Sequence, residues 1–69
     1  MQFTLECELE DDGRWLAEVA DLPDALAYGG SASEAMAKAQ ALALRALAER
    51  LQQGEARPIA ISMSIPADA

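Results

Sequence analysis

Histidine is missing from the 69 residues, and cysteine occurs once, at Cys7. The first absence removes the common zinc sets and the usual base for activating a serine or cysteine nucleophile. The second excludes a disulfide within the chain. No apolar run approaches the roughly 20 residues of a membrane span. The opening MQFTLECELE has neither the basic start nor the apolar core of a signal peptide. A lone cysteine without an export signal predicts a cytoplasmic protein with no membrane partner. A dense basic block is lacking too: Arg14, Lys38, Arg45, Arg50 and Arg57 are scattered against twelve carboxylates, for a formal net charge of −7. Phosphate backbones are held by clustered Lys and Arg, so no direct nucleic-acid binding is expected. Gly29-Gly30 lacks the further glycines and the basic residue of a phosphate loop, and no cofactor is expected.

Residues 1–69 suffice for a single domain. A domain this small buries only about 60% of the surface its unfolded chain exposes. With a disulfide and the common zinc sites excluded, oligomerisation is the staple that remains. The acidic balance has two readings, solubility and attraction to a basic partner.

Residues 3 to 9 alternate, with Phe3, Leu5, Cys7 and Leu9 on one side and Thr4, Glu6 and Glu8 on the other, the period of a half-buried strand. Asp12-Gly13 supplies the left-handed backbone of a tight hairpin. The following run then pairs antiparallel, with Trp15, Ala17 and Val19 inward and Arg14, Leu16 and Glu18 outward. Asp21-Leu22-Pro23-Asp24 is expected to stop this second strand, leaving a short third strand over Ala25 to Tyr28. Gly29-Gly30 permits a turn. Ser31-Ala32-Ser33-Glu34 fits a capping box, with Ser31 accepting from the N–H three residues on and Glu34 reaching back.

A helix is therefore expected from about Ala32 to Gln53, closed by Gly54. Wound at about 100° per residue, it gathers Glu34, Lys38, Arg45, Glu49 and Gln52 in one polar stripe, with Glu34 and Lys38 in the favourable order for an ion pair. Its apolar arc spans roughly 200°, wider than the roughly 100° that one sheet face needs. Alanine's helix propensity is one explanation of that width. A second subunit is the other, with Leu44, Leu47 and Leu51 as the candidate oligomer interface. After the loop Glu55–Pro58, the alternation of Ile59, Ile61, Met63 and Ile65 predicts a fourth strand, ended by Pro66. The fold class is α+β, in the order βββαβ: three antiparallel strands, a fourth strand, and one helix packed on one face. A right-handed crossover from strand three, with strand four parallel beside strand one, gives sheet order 3-2-1-4.

The run Gly13-Arg14-Trp15-Leu16-Ala17-Glu18-Val19, then Asp21-Leu22-Pro23, then Tyr28-Gly29 before the capped Glu34-Ala35 helix, resembles the N-terminal domain of HicB-like antitoxins. The similarity covers nearly the whole chain. It implies a partial ribonuclease-H-like fold of the same βββαβ order. It also implies a partner, a small basic HicA-like toxin that cleaves RNA and whose active site the antitoxin covers. Members commonly carry a C-terminal DNA-binding domain that these residues do not include, so operator binding is not expected of them. Asp24 stands where the family usually has glycine after Leu-Pro, which implies a locally different loop.

A ribonuclease-H relationship puts the carboxylates to a catalytic test. Metal-dependent phosphodiester cleavage needs several acidic groups converging on a divalent ion. Asp11, Asp12, Asp21 and Asp24 all fall in turns, which favours solvated turn residues over a nuclease centre. Glu6, Glu8 and Glu10 form a better constellation, sharing the outer sheet face with Glu18 across the hairpin. They are the candidate partner-binding residues, against the plainer reading of a solvated, aggregation-resistant face. Cys7 reads as an inert core thiol and Trp15 as core or interface packing, with partner recognition the lesser reading. The role of Tyr28 is left open. Ser31 is explained by its cap, and no base accompanies it or Ser33. The leading expectation is a non-enzymatic antitoxin. The alternative is a stand-alone homo-oligomeric accessory or ligand-binding module, and a hydrolase is a distant third.

Overall fold

The alternation of the first residues becomes β1, Gln2–Leu9, and the run after the Asp-Gly turn becomes β2, Trp15–Val19. This computed structural model describes residues 1–54, 58 and 60–66. Five residues, Glu10 to Arg14, join the two strands. Glu10 donates its N–H to the Arg14 carbonyl at 2.8 Å, and Gly13 donates to the Glu10 carbonyl at 3.0 Å. Gly13 takes a φ of +88°, the conformation for which glycine is suited. The Asp12 carboxylate accepts from the Arg14 N–H at 3.0 Å and from its Nε at 2.8 Å. These hydrogen bonds, the backbone one foremost, hold the Asp12 pKa below its ordinary value.

The third strand is longer than the Asp-Leu-Pro-Asp run suggests. β3 covers Leu22–Gly29 and pairs with β2 through a register shift at Glu18/Val19. Leu22 is buried in the core, which pulls the chain back into the sheet directly after Asp21. Pro23 is tolerated because β3 is an edge strand. The stop is therefore the pair Ala20-Asp21 alone.

Helix α1 runs Ala32–Gln53, with Ser31 as its N-cap and Gly54 as its C-cap. Ser31 Oγ accepts from the Glu34 N–H at 3.1 Å. The return bond lands one residue earlier than a capping box places it: the Glu34 carboxylate accepts from the Gly30 N–H at 2.8 Å. Lys38 Nζ lies 3.6 Å from the same carboxylate. Gly29 is required for space, not for an unusual φ. A Cβ there would sit 2.7 Å from the Ala35 backbone nitrogen.

The last strand, β4, is only Ser62–Ser64, parallel to β1 with Met63 opposite Phe3. The result is a four-stranded mixed sheet in the order β3-β2-β1-β4 with one helix packed on it, an α+β architecture. Phe3, Leu5, Ala17, Val19, Leu22 and Ala25 meet Ala35, Met36, Ala39, Ala43 and Leu47 in one core. Alanines along the helix let it lie close to the sheet. The helix packs on β1, β2 and β3, and among the described residues its backbone does not come close to that of β4. This explains two departures from the alternation: Ile61 and Ile65 are 40% and 56% exposed, and Met63 alone of the three packs against the core. Ile59, placed in the same strand by its spacing, lies outside the described residues, as does most of the Glu55–Pro58 loop. Leu9, expected inward, is also exposed, at the hairpin end of β1. No helix among the described residues is long and apolar enough to cross a membrane.

Candidate functional site

With the helix on one face, the other face of the sheet carries no helix among the described residues. Cross-strand register lays its side chains out in rows. Glu6 on β1 stands opposite Glu18 on β2, which stands opposite Leu26 on β3. One step along, Glu8 opposes Leu16, and Leu16 opposes Tyr28. The face is thus graded, acidic on β1 and apolar toward β3. Leu26 and Tyr28 are exposed and Leu16 is half-buried. The Arg14 guanidinium lies 4.2 Å from the Tyr28 ring centroid, a cation–π contact that braces the ring at the hairpin end of the sheet.

A depression of about 190 Å³ opens on this face, lined by Glu6, Cys7, Glu8, Leu16 and Glu18. Its volume is below the roughly 300–1,000 Å³ of sites that enclose a small-molecule ligand. Its chemistry suits one or two side chains of a partner, cationic toward the glutamates and aliphatic toward Leu16. Three of the four candidate partner-binding residues are brought together here. Glu10 is not among the lining residues: β1 ends at Leu9, and the Glu10 backbone is used to close the hairpin loop. The apolar margin of Leu26 and Tyr28 has a signal in the sequence only once the β2–β3 register is known.

The candidate oligomer residues separate as well. Leu44 is 51% exposed and Leu51 is half-buried, whereas Leu47 is 1% exposed. Leu47 is spent on the core of its own chain and is unavailable to a second subunit. The apolar arc of the helix is centred on Ala39 and Ala43, and Leu47 falls inside it.

Cys7 is half-buried, with Sγ directed toward the Ala32 carbonyl at 4.0 Å. Burial pushes its thiol pKa up, and the Glu8 charge adds to the rise. Both effects disfavour the thiolate that a nucleophile requires. Trp15 is half-buried and packs against the core. Among the described residues, no group of three or more Cys, Asp or Glu side chains has the arrangement to hold a metal ion. Compared with protein-family models, with curated proteins and with solved structures, the chain matches none.

Proposed function

We propose that this chain is a HicB-like antitoxin, or a protein derived from one, which binds a small basic RNA-cleaving toxin in the cytoplasm and occludes it without catalysis of its own. The observation that carries this reading is the convergence of Glu6, Glu8 and Glu18 around one depression on the helix-free sheet face, beside Leu16. Opposed potentials steer encounter and fix register. The apolar margin of Leu16, Leu26 and Tyr28 supplies area that charge alone does not.

The test is co-expression of the chain with a small basic protein encoded beside it, followed by purification and an RNA-cleavage assay. The expected result is a complex of defined stoichiometry in which cleavage is silenced. Glu6→Lys combined with Glu8→Lys should weaken it at least tenfold with the circular dichroism unchanged. Unchanged affinity removes the acidic face from the reading.

A stand-alone homo-oligomeric accessory module is the second reading, favoured by the exposure of Leu44, Ile61 and Ile65 on the helix and beside β4. It predicts self-association with no toxin bound.

A further inference from the structure

Five residues near the end of the described chain read the same in both directions: Ile61-Ser62-Met63-Ser64-Ile65. β4 forms the middle of this palindrome and, among the described residues, lies at an edge of the sheet with no strand beyond it. Ser62 donates its N–H to the Met1 carbonyl at 2.8 Å, so its backbone groups face β1. Successive residues of a strand direct their N–H and C=O to opposite sides. Ser64 therefore faces β1 too, while Ile61, Met63 and Ile65 offer N–H and C=O to the open edge.

A second copy, rotated by a half-turn about an axis through Met63, presents the same groups in the same order. Met63 then exchanges both backbone hydrogen bonds with Met63 of the second copy. Ile61 does so with Ile65 of the second copy, and Ile65 with its Ile61. Side chains agree with the backbone. By alternation Ile61, Met63 and Ile65 share the helix side of the sheet, where α1 leaves the isoleucines 40% and 56% exposed. Pairing sets each exposed isoleucine against the other copy's. On the opposite face, Ser62 meets Ser64 of the second copy.

Charge selects the same edge. At −7, two copies repel over most of their surfaces. Carboxylates stand on β1, β2 and β3, yet Ile61 to Ile65 carries no charge and no proline. Edge strands that must stay unpaired are guarded by such residues, and the other edge, β3, has Pro23 and Asp24. We propose that β4 is the two-fold edge of a homodimer, which joins two four-stranded sheets into one of eight strands. The axis is perpendicular to the sheet, so both helices lie on one side and both glutamate-lined depressions on the other. Such a dimer presents two docking faces in one plane, whatever occupies them, and the pairing does not depend on the toxin reading.

Sedimentation equilibrium over about 1 μM to 1 mM tests it. The expected species is twice the 7.3 kDa chain mass. Ile61→Lys with Ile65→Lys should give a folded monomer, as should Ile61→Glu with Ile65→Glu. Mixing the two variants should restore the dimer, because every isoleucine contact becomes a Lys–Glu pair. Amide exchange on the unaltered chain gives a second readout. The Met63 N–H should slow about tenfold or more as concentration rises, while Ser62, already bonded to Met1, stays constant. A chain monomeric at about 1 mM overturns the proposal, as does a dimer that persists in both charged variants or a Met63 amide indifferent to concentration.

Discussion

Glu6 on β1 stands directly opposite Glu18 on β2. Like charges so placed cost roughly 0.2–1 kcal/mol. Among the described residues the ion pairs join Arg14 to Asp12 and Lys38 to Glu34, so neither relieves the repulsion. Glu18→Gln should therefore raise stability by about 0.2–1 kcal/mol at low salt, with the gain shrinking as salt screens the pair. Urea denaturation at two ionic strengths checks this. If the same variant weakens capture of a basic partner, the repulsion is retained for binding at the expense of stability. A variant less stable than the parent would show that Glu18 makes a favourable contact instead.

Leu44 and Leu47 are three positions apart on α1 and differ from 51% to 1% in exposure. Leu47→Ala should cost about 2–5 kcal/mol, the range for emptying a buried leucine site. Leu44→Ala should stay within about 0.5 kcal/mol, as an exposed change away from special features does. Chemical denaturation of both variants at low protein concentration separates them. Similar losses would mean that Leu44 is covered in solution by another chain.

Much of this arrangement is legible in the sequence, and the departures from it share one cause. Ser31, Glu34 and Gly54 mark the helix ends because capping is local, and the ends lie where those residues put them. Alternation with the hairpin turn was enough to gather Glu6, Glu8 and Glu18. Whether a proline stands in a central or an edge strand is a property of the whole sheet, so Pro23 misleads about the start of β3. An apolar arc of roughly 200° does not say which part faces the sheet, so Leu47, which that arc offers to a second subunit, lies in the core of its own chain. The exposure of Ile61 and Ile65 likewise depends on how far α1 reaches across the strands.

Gly29 and Gly30 look interchangeable as a turn pair, yet their surroundings differ. A Cβ on Gly29 would meet the Ala35 nitrogen at 2.7 Å and its Cα at 3.1 Å, whereas one on Gly30 meets only Glu34 Oε1, at 3.9 Å. The Ala35 atoms belong to the helix backbone and do not yield without moving α1. Gly29→Ala should therefore destabilise by about 1–3 kcal/mol, the scale of overpacking a tight contact. Gly30→Ala should stay within about 0.5 kcal/mol. Thermal melts decide it, and equal effects would put the requirement for glycine in the turn itself.

The Glu34 carboxylate joins the end of β3 to the start of α1, and this makes the junction sensitive to acid. The Gly30 N–H foremost, and then the Lys38 charge, hold its pKa below the ordinary value. A group whose folded pKa is depressed binds its proton more readily unfolded than folded. Its contribution is full above the ordinary carboxylate range of about 4.3 and is lost as pH falls through the folded value. Glu34→Gln keeps an acceptor for Gly30 but removes the charge. The parent should thus be the more stable of the two near neutral pH, with the difference narrowing below about pH 4. Melting both proteins from neutral pH down into that range measures the gap. A gap independent of pH would assign the role of Glu34 to its shape and hydrogen bonding alone, with no share from its charge.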